Sequence, residues 1–274
     1  MTNLQHQDVG IIGDGHVHFY PDYDIERFFR CAFANFRAAA VRLQAGKTPI
    51  FFLLLTESAG HNLFSRLRRE KYFGQGLRIL TTGEAQTLAV HMQEEMYCFV
   101  VAGRQIVTAE SLEVLALGMN SPFPDGLPLR EVLAGVCDSG ALAVLPWGVG
   151  KWLGRRGKIM RSLVESAQAG DFFLGDNGNR PFFWPISPLF SKAAERGIFN
   201  LPGSDPLPFA GQENKAGSFG FYLDGNVEPD APFSGLKHLL TEAARPPGTY
   251  GRPERILPFL HHQFSMQAGR FLNR

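Results

Sequence analysis

Two histidines one residue apart, His16 and His18, follow an apolar stretch containing Val9, Ile11 and Ile12. Side chains of an extended chain alternate with a period of two, so both imidazoles face one side at the end of a strand. Neutral imidazole is the commonest side-chain ligand of zinc and similar ions. The run Gly13-Asp14-Gly15-His16-Val17-His18 therefore points to metal or active-site chemistry. Carboxylates stand after other apolar runs, at Glu57, Glu84, Asp176 and Asp205. Two histidines and several carboxylates on one rim suit a hard or borderline divalent ion. A carboxylate there can bridge ions or accept a proton from water. The alternatives are local: Asp176 and Asp205 could close Asx turns or cap helices, and Glu84 could be a surface strand residue.

A basic cluster lies further along: Lys151, Arg155, Arg156, Lys158 and Arg161, with Trp147 and Trp152, after Leu145-Pro146-Trp147. Lys151 or Arg155 facing the rim could dock phosphate or carboxylate, helped by free backbone N–H groups at a helix starting near Lys158. Asn177, Asn179 and Arg180 offer similar contacts one loop later. A solvated basic loop or a subunit contact is the competing reading.

Apolar patterning supplies the elements that must carry these groups. Val9 to His18 reads as a strand, and Asp24 to Gln44 as a helix that Asp24 can cap, with Ile25, Phe28, Phe29, Ala32, Phe33 and Phe36 at helical spacing. Ile50 to Leu55 is a continuous apolar run, as in a parallel strand buried on both faces. A helix is expected over His61 to Tyr72. Several short strand-like pieces then follow, suggesting an antiparallel β insertion near residues 78–117. Alternation resumes with helices over 129–139, 158–169, 188–196 and 236–244, and strands over 141–145, 172–174, 198–201 and 219–223. A last helix, 257–271, carries His261, His262 and Met266. Repeated strand–helix units imply right-handed crossovers, and six or seven of them could close a barrel with its functional groups at the strand ends.

The chain has 274 residues, 45% hydrophobic and 19% charged, with a net charge of +1. One α/β domain spanning 1–274 is expected, and the charge balance argues against general affinity for nucleic acid or anionic membranes. Cys31, Cys98 and Cys137 are odd in number and widely spaced, so they suggest neither a disulfide framework nor a thiolate metal site. Residues 1–8 lack the pattern of a signal peptide, and the longest apolar run is too short to span a bilayer. A cytoplasmic protein, possible as a homo-oligomer, is expected.

The order of motifs resembles the PHP (polymerase and histidinol phosphatase) family of metal-dependent phosphoesterases. Gly13–His18 is similar to its opening His-x-His motif, and Thr82-Gly83-Glu84 to its Gly-x-Glu motif. Gly140–Pro146 resembles its Gly-Gly-x-Ala-Val-x-His-Pro strand, and Leu201–Asp205 its closing Gly-Ser-Asp-x-His motif. Leu55-Thr56-Glu57-Ser58 lies where the family has Thr-Asp-His. The amidohydrolase superfamily shares the first and last motifs. Ser58, Leu145 and Leu207 stand at family histidine positions, which leaves His16, His18, Glu84 and Asp205, with Glu57, as the metal-ligand set.

The resemblance implies a PHP-like (β/α)7, TIM-like barrel. It also implies a hydrolase, of phosphoesterase or amidohydrolase type, using a metal-activated water on a small anionic molecule. The ion would be Zn, Mn or Fe, and one ion or none. Asp205, Glu84 and Asp14 would be the catalytic carboxylates; Lys151, Arg155, Arg180, Trp147 and Asn177 would bind substrate. The alternative is a catalytically inert PHP-like barrel that binds a ligand or a partner, for which the three lost histidines argue.

Overall fold

The computed structural model describes residues 9–46, 48–74, 76–92 and 96–254. Strand β1 (Val9–Val17) leads into helix α1 (Ile25–Leu43), and β2 (Ile50–Leu55) returns parallel to β1. Asp24 caps α1 by accepting from the Arg27 N–H at 2.7 Å. Helix α2 (Leu63–Glu70) follows, then β3 (Tyr72–Phe73), β4 (Leu77–Thr81), β5 (Thr87–Met92) and β6 (Met96–Val101), each antiparallel to the one before. Strand β6 lies parallel to β2.

At Ala102 the chain passes from one sheet to another. It continues as β7 (Gly103–Val107), β8 (Glu113–Leu117), α3 (Leu129–Asp138), β9 (Leu142–Pro146), α4 (Gly154–Ser166), β10 (Phe173–Gly175) and α5 (Pro188–Ala194). A 3-10 turn at Gln212–Lys215 precedes β11 (Gly220–Asp224), α6 (Pro232–Thr241) and β12 (Gly248–Tyr250). The eight-stranded sheet has the order β12-β11-β1-β2-β6-β5-β4-β3, and the four-stranded sheet β10-β9-β8-β7.

This mixed α/β architecture replaces the expected (β/α)7 barrel. Among the described residues there are two open sheets and no closed barrel. The antiparallel pieces near 78–117 are no insertion: β4 to β6 build one arm of the large sheet, and β7 and β8 half of the small one. Among the named strands of the described residues, β1–β2, β2–β6 and β9–β10 are the pairs that run parallel. Apolar runs report burial on both faces, and they do not report strand direction. Residues 198–201 form no strand, and only isolated bridges join Asn200 to Leu174 and Gly203 to Asn177. Helix α4 begins at Gly154, four residues before the expected start at Lys158. The helix expected over 257–271 lies outside the described residues. Among those residues no helix is long and apolar enough to cross a membrane.

Each face of the sheets has a reason to be apolar. The inner faces share one core that includes Ile11, Phe52, Phe99, Leu115, Val144 and Phe221. On the outer face of the large sheet, α1 buries Phe28, Phe29, Phe33 and Phe36, the last stacked on Phe51 with centroids 5.1 Å apart. Helices α3, α4 and α5 cover the small sheet through Val132, Val136, Met160 and Leu189.

Glu84 serves this architecture. Helix α6 has no side-chain cap of its own, because Ala231 occupies the N-cap position. Glu84, in the β4–β5 turn, supplies one: its two carboxylate oxygens accept from the N–H groups of Phe233 and Ser234, each at 2.8 Å. Thr87 Oγ1 donates to the same carboxylate at 3.1 Å. A group committed to a helix N-terminus is satisfied there, which removes Glu84 from the expected ligand and catalytic sets. Glu84→Ala should destabilise the protein by about 1–2 kcal/mol in urea unfolding, the usual effect of losing a cap, and leave its metal content unchanged.

Candidate metal centre and adjoining cavity

Three groups converge at the end of β1. The Nε2 atoms of His16 and His18 lie 3.0 Å apart, and Asp205 Oδ1 lies 3.5 Å from the first and 3.7 Å from the second. Both histidines are buried, and Asp205 is partly so. Two imidazole nitrogens and a carboxylate oxygen facing one point present lone pairs that repel unless a proton or a cation lies between them. A point about 2 Å from all three atoms exists, which matches zinc–nitrogen and zinc–oxygen bond lengths. The donor set and its spacing therefore fit one divalent ion, with coordination left over for water or substrate.

The electrostatics agree. Burial, with His16 beside it, drives His18 down to about 3, so it is a neutral imidazole at pH 7 and its lone pair is available. Burial alone would raise the Asp205 carboxyl. The His16 and His18 rings beside it, Lys151 and a hydrogen bond from Asn179 outweigh it and hold Asp205 below the usual range. Tyr20 packs its ring against His18 at 5.7 Å, and burial raises its phenol, so it stands beside the triad uncharged.

The backbone brings Asp205 to the histidines. Pro202 C=O accepts from the Gly15 N–H at 3.0 Å, and the Asp205 N–H donates to His16 C=O at 2.8 Å. Such an approach leaves no room for side chains: a Cβ on Gly203 would lie 2.1 Å from the His16 nitrogen. Asp14 locks the same contact from behind. Fully buried, it accepts from the N–H groups of His16, Ser204 and Gly217 and from the Ser204 hydroxyl. Burial pushes its carboxyl up to about 7 against the pull of those hydrogen bonds. Its oxygens are thus used in holding Ser204 and Asp205, so Asp14 is a positioning residue in place of the expected catalytic one.

Glu57 is likewise committed elsewhere. One of its oxygens accepts from the Phe64 N–H at 3.0 Å, near the start of α2, and the other faces Arg104 Nη1 at 3.6 Å. Among the described residues the group able to hold a metal is His16, His18 and Asp205, without Glu57 or Glu84.

A cavity of about 440 Å³ opens beside Asp205, lined also by Glu113, Trp147, Lys151, Arg156 and Asn177 among others. Its volume lies within the range of small-molecule sites, roughly 300–1,000 Å³. Lys151 Nζ is paired with Glu113. Asn177 Nδ2 donates to Trp147 C=O at 2.8 Å, and Asn177 Oδ1 accepts from the Asn179 N–H at 3.1 Å.

Trp147, Lys151 and Asn177 thus line this cavity, and Arg180 and Arg155 do not. Arg180 is neutralised by a buried two-point ion pair with Asp176, Nε to Oδ1 at 2.8 Å and Nη2 to Oδ2 at 2.9 Å. Arg155 is exposed on α4 outside the cavity lining. The sequence reading also passed over Glu113, whose strand position gave no sign that it meets Lys151.

No family model matches the chain, and no curated protein matches it in sequence. The crystal structure of PsfC from Pseudomonas syringae PB-5123 is similar, with a TM-score of 0.52 and 14% identity, over 93% of this chain and 98% of PsfC. The likeness is one of fold.

Gly203→Ala should force the 202–205 segment away from β1. We expect a loss of about 1–3 kcal/mol from the enforced overlap and a metal affinity at least tenfold lower, read by chelator competition.

Proposed function

We propose that the chain is a metal-dependent hydrolase of small anionic molecules, phosphoesterase-like in its chemistry, with one divalent ion held by His16, His18 and Asp205. The observation that carries this reading is the convergence of three donor atoms within 4.8 Å of one another beside a cavity of small-molecule size. The likeness of Gly13–His18 and Leu201–Asp205 to phosphoesterase motifs supports it, since these two stretches supply all three donors.

Two imidazoles and one carboxylate suit Zn, Mn or Fe. When bound, such an ion would supply Lewis acidity and lower the pKa of a water molecule toward neutrality. Asp205 is the ligand that also lines the cavity, so its carboxylate is the protein group placed to accept a proton from that water. Asn179 Nδ2 donates to the Asp205 carbonyl and holds that residue in its left-handed conformation, φ 50°. Trp147 and Leu207 give the cavity apolar walls. Lys151 offers positive charge to an anionic substrate within the same space.

Protein purified without chelators should carry about one divalent ion per chain, and His16→Ala or Asp205→Ala should lose it. An aryl phosphate should be hydrolysed by the metal-loaded parent at a rate at least 100-fold above that of Asp205→Ala, on the scale of losing a group that handles a proton. A parent chain that takes up no ion from Zn, Mn or Fe solutions would sink the reading.

A further inference from the structure

Among the described residues one cation on the cavity wall has no acid to balance it. Arg156, in the first turns of α4, lines the same space as Asp205. Its Nη1 donates to the Ser111 carbonyl at 3.3 Å and its Nη2 to the Gly150 carbonyl at 2.9 Å. Among the described residues no carboxylate forms an ion pair with it, whereas the neighbouring Lys151 is paired with Glu113. The two carbonyls fix the guanidinium and leave its charge uncompensated. They also use only part of its donor set.

The carbonyls that hold it come from two turns. Ser111 and Gly150, the residues that turn their carbonyls onto Arg156, both adopt left-handed conformations, φ 57° and 75°. For a residue with a side chain this region is sparsely populated and costs energy. Among the described residues four non-glycine positions adopt it. Gln44 and Lys71 close helices, where such a conformation is ordinary. The other two, Ser111 and Asp205, both line this cavity. Ser111 closes the β7–β8 hairpin, its N–H donating to Thr108 C=O at 2.9 Å and the Thr108 N–H to Leu112 C=O at 2.8 Å, where a left-handed residue is ordinary. Of the four, Asp205 alone stands outside a helix end or a hairpin.

We propose that Arg156, seconded by Lys151, receives a second anionic group of the substrate, a carboxylate or phosphate separate from the group at the His16–His18–Asp205 centre. The substrate class is then a compact molecule bearing two anionic groups. This rests on the proposed hydrolase reading for the reacting end alone. A planar guanidinium with free N–H groups matches both carboxylate and phosphate oxygens, which makes Arg156 a stronger anchor than a lysine at the same place. The apolar walls at Val107, Trp147 and Leu207 fit the carbon skeleton between the two groups.

The test is calorimetric titration of the full chain, metal-loaded and metal-free, with malonate, inorganic phosphate and acetate as probes. Malonate and phosphate should bind the parent, and Arg156→Gln should weaken both at least tenfold. Arg156→Lys, which keeps a cation on the wall, should recover much of the loss. Arg155→Gln, one residue away and outside the cavity, should bind like the parent. Acetate, which can occupy one of the two positions at a time, should bind the parent more weakly than malonate. The inference is overturned if Arg156→Gln binds malonate and phosphate as the parent does, or if Arg155→Gln loses as much. Metal content is measured alongside. A chain that binds no ion overturns the hydrolase reading, while the Arg156 comparison in the metal-free protein still decides the anion subsite.

Discussion

The candidate site depends on one close contact, between the end of β1 and the segment that runs from Leu201 to Asp205. Asp14 secures it by accepting from the backbone of Ser204 and Gly217, and glycines at 15 and 203 let the two backbones meet. His16 and His18 would otherwise be two histidines on a strand. Asp205 would be an acid in a loop. Buried carboxylates are expensive to desolvate, and this one is tolerated because several donors converge on it. The same residue cannot hold the loop and also serve the chemistry, which is why Asp14 lies behind the triad and Asp205 in front.

The charges around the cavity form a graded series. Asp176 with Arg180 and Glu57 with Arg104 are pairs buried in the structure, and their fields are largely closed on themselves. Lys151 with Glu113 is a pair at the cavity wall, partly exposed. Arg156 is held by carbonyl dipoles alone. The cavity lining sets Lys151 and Arg156 against Glu113 and Asp205, and an ion at the triad would tip that balance to positive. Such a field favours anions over neutral molecules of equal size and raises their encounter rate.

Some of this was legible in the sequence. The alternation of His16, Val17 and His18 placed both imidazoles on one side, and the apolar spacing after Asp24 marked α1 and its cap. The two open, mixed sheets were not legible, and a barrel was expected instead, because an apolar run such as Ile50–Leu55 reads alike in parallel and mixed sheets. Glu84 and Glu57 misled for a different reason. A carboxylate at a loop has the same appearance whether it meets a metal or a helix N-terminus, and the N–H groups that Glu84 meets lie about 150 residues away. The arginine that lines the cavity lies one position from the one expected there. With α4 expected at Lys158, nothing distinguished Arg155 from Arg156; with the helix starting at Gly154, adjacent residues point about 100° apart. Arg156 faces the cavity and Arg155 faces solvent.

The contact between Asp14 and Ser204 spans 190 positions of sequence. A loop of that size closes late, since the entropy of bringing its ends together must be met by structure already formed between them. The triad cannot therefore act as a nucleus for the fold. Its two histidines are made with the first strand of the chain, and its carboxylate joins them only when the intervening sheets are in place. An ion at the centre would then report completed tertiary structure, since the native chain brings the third donor, Asp205, to the two histidines.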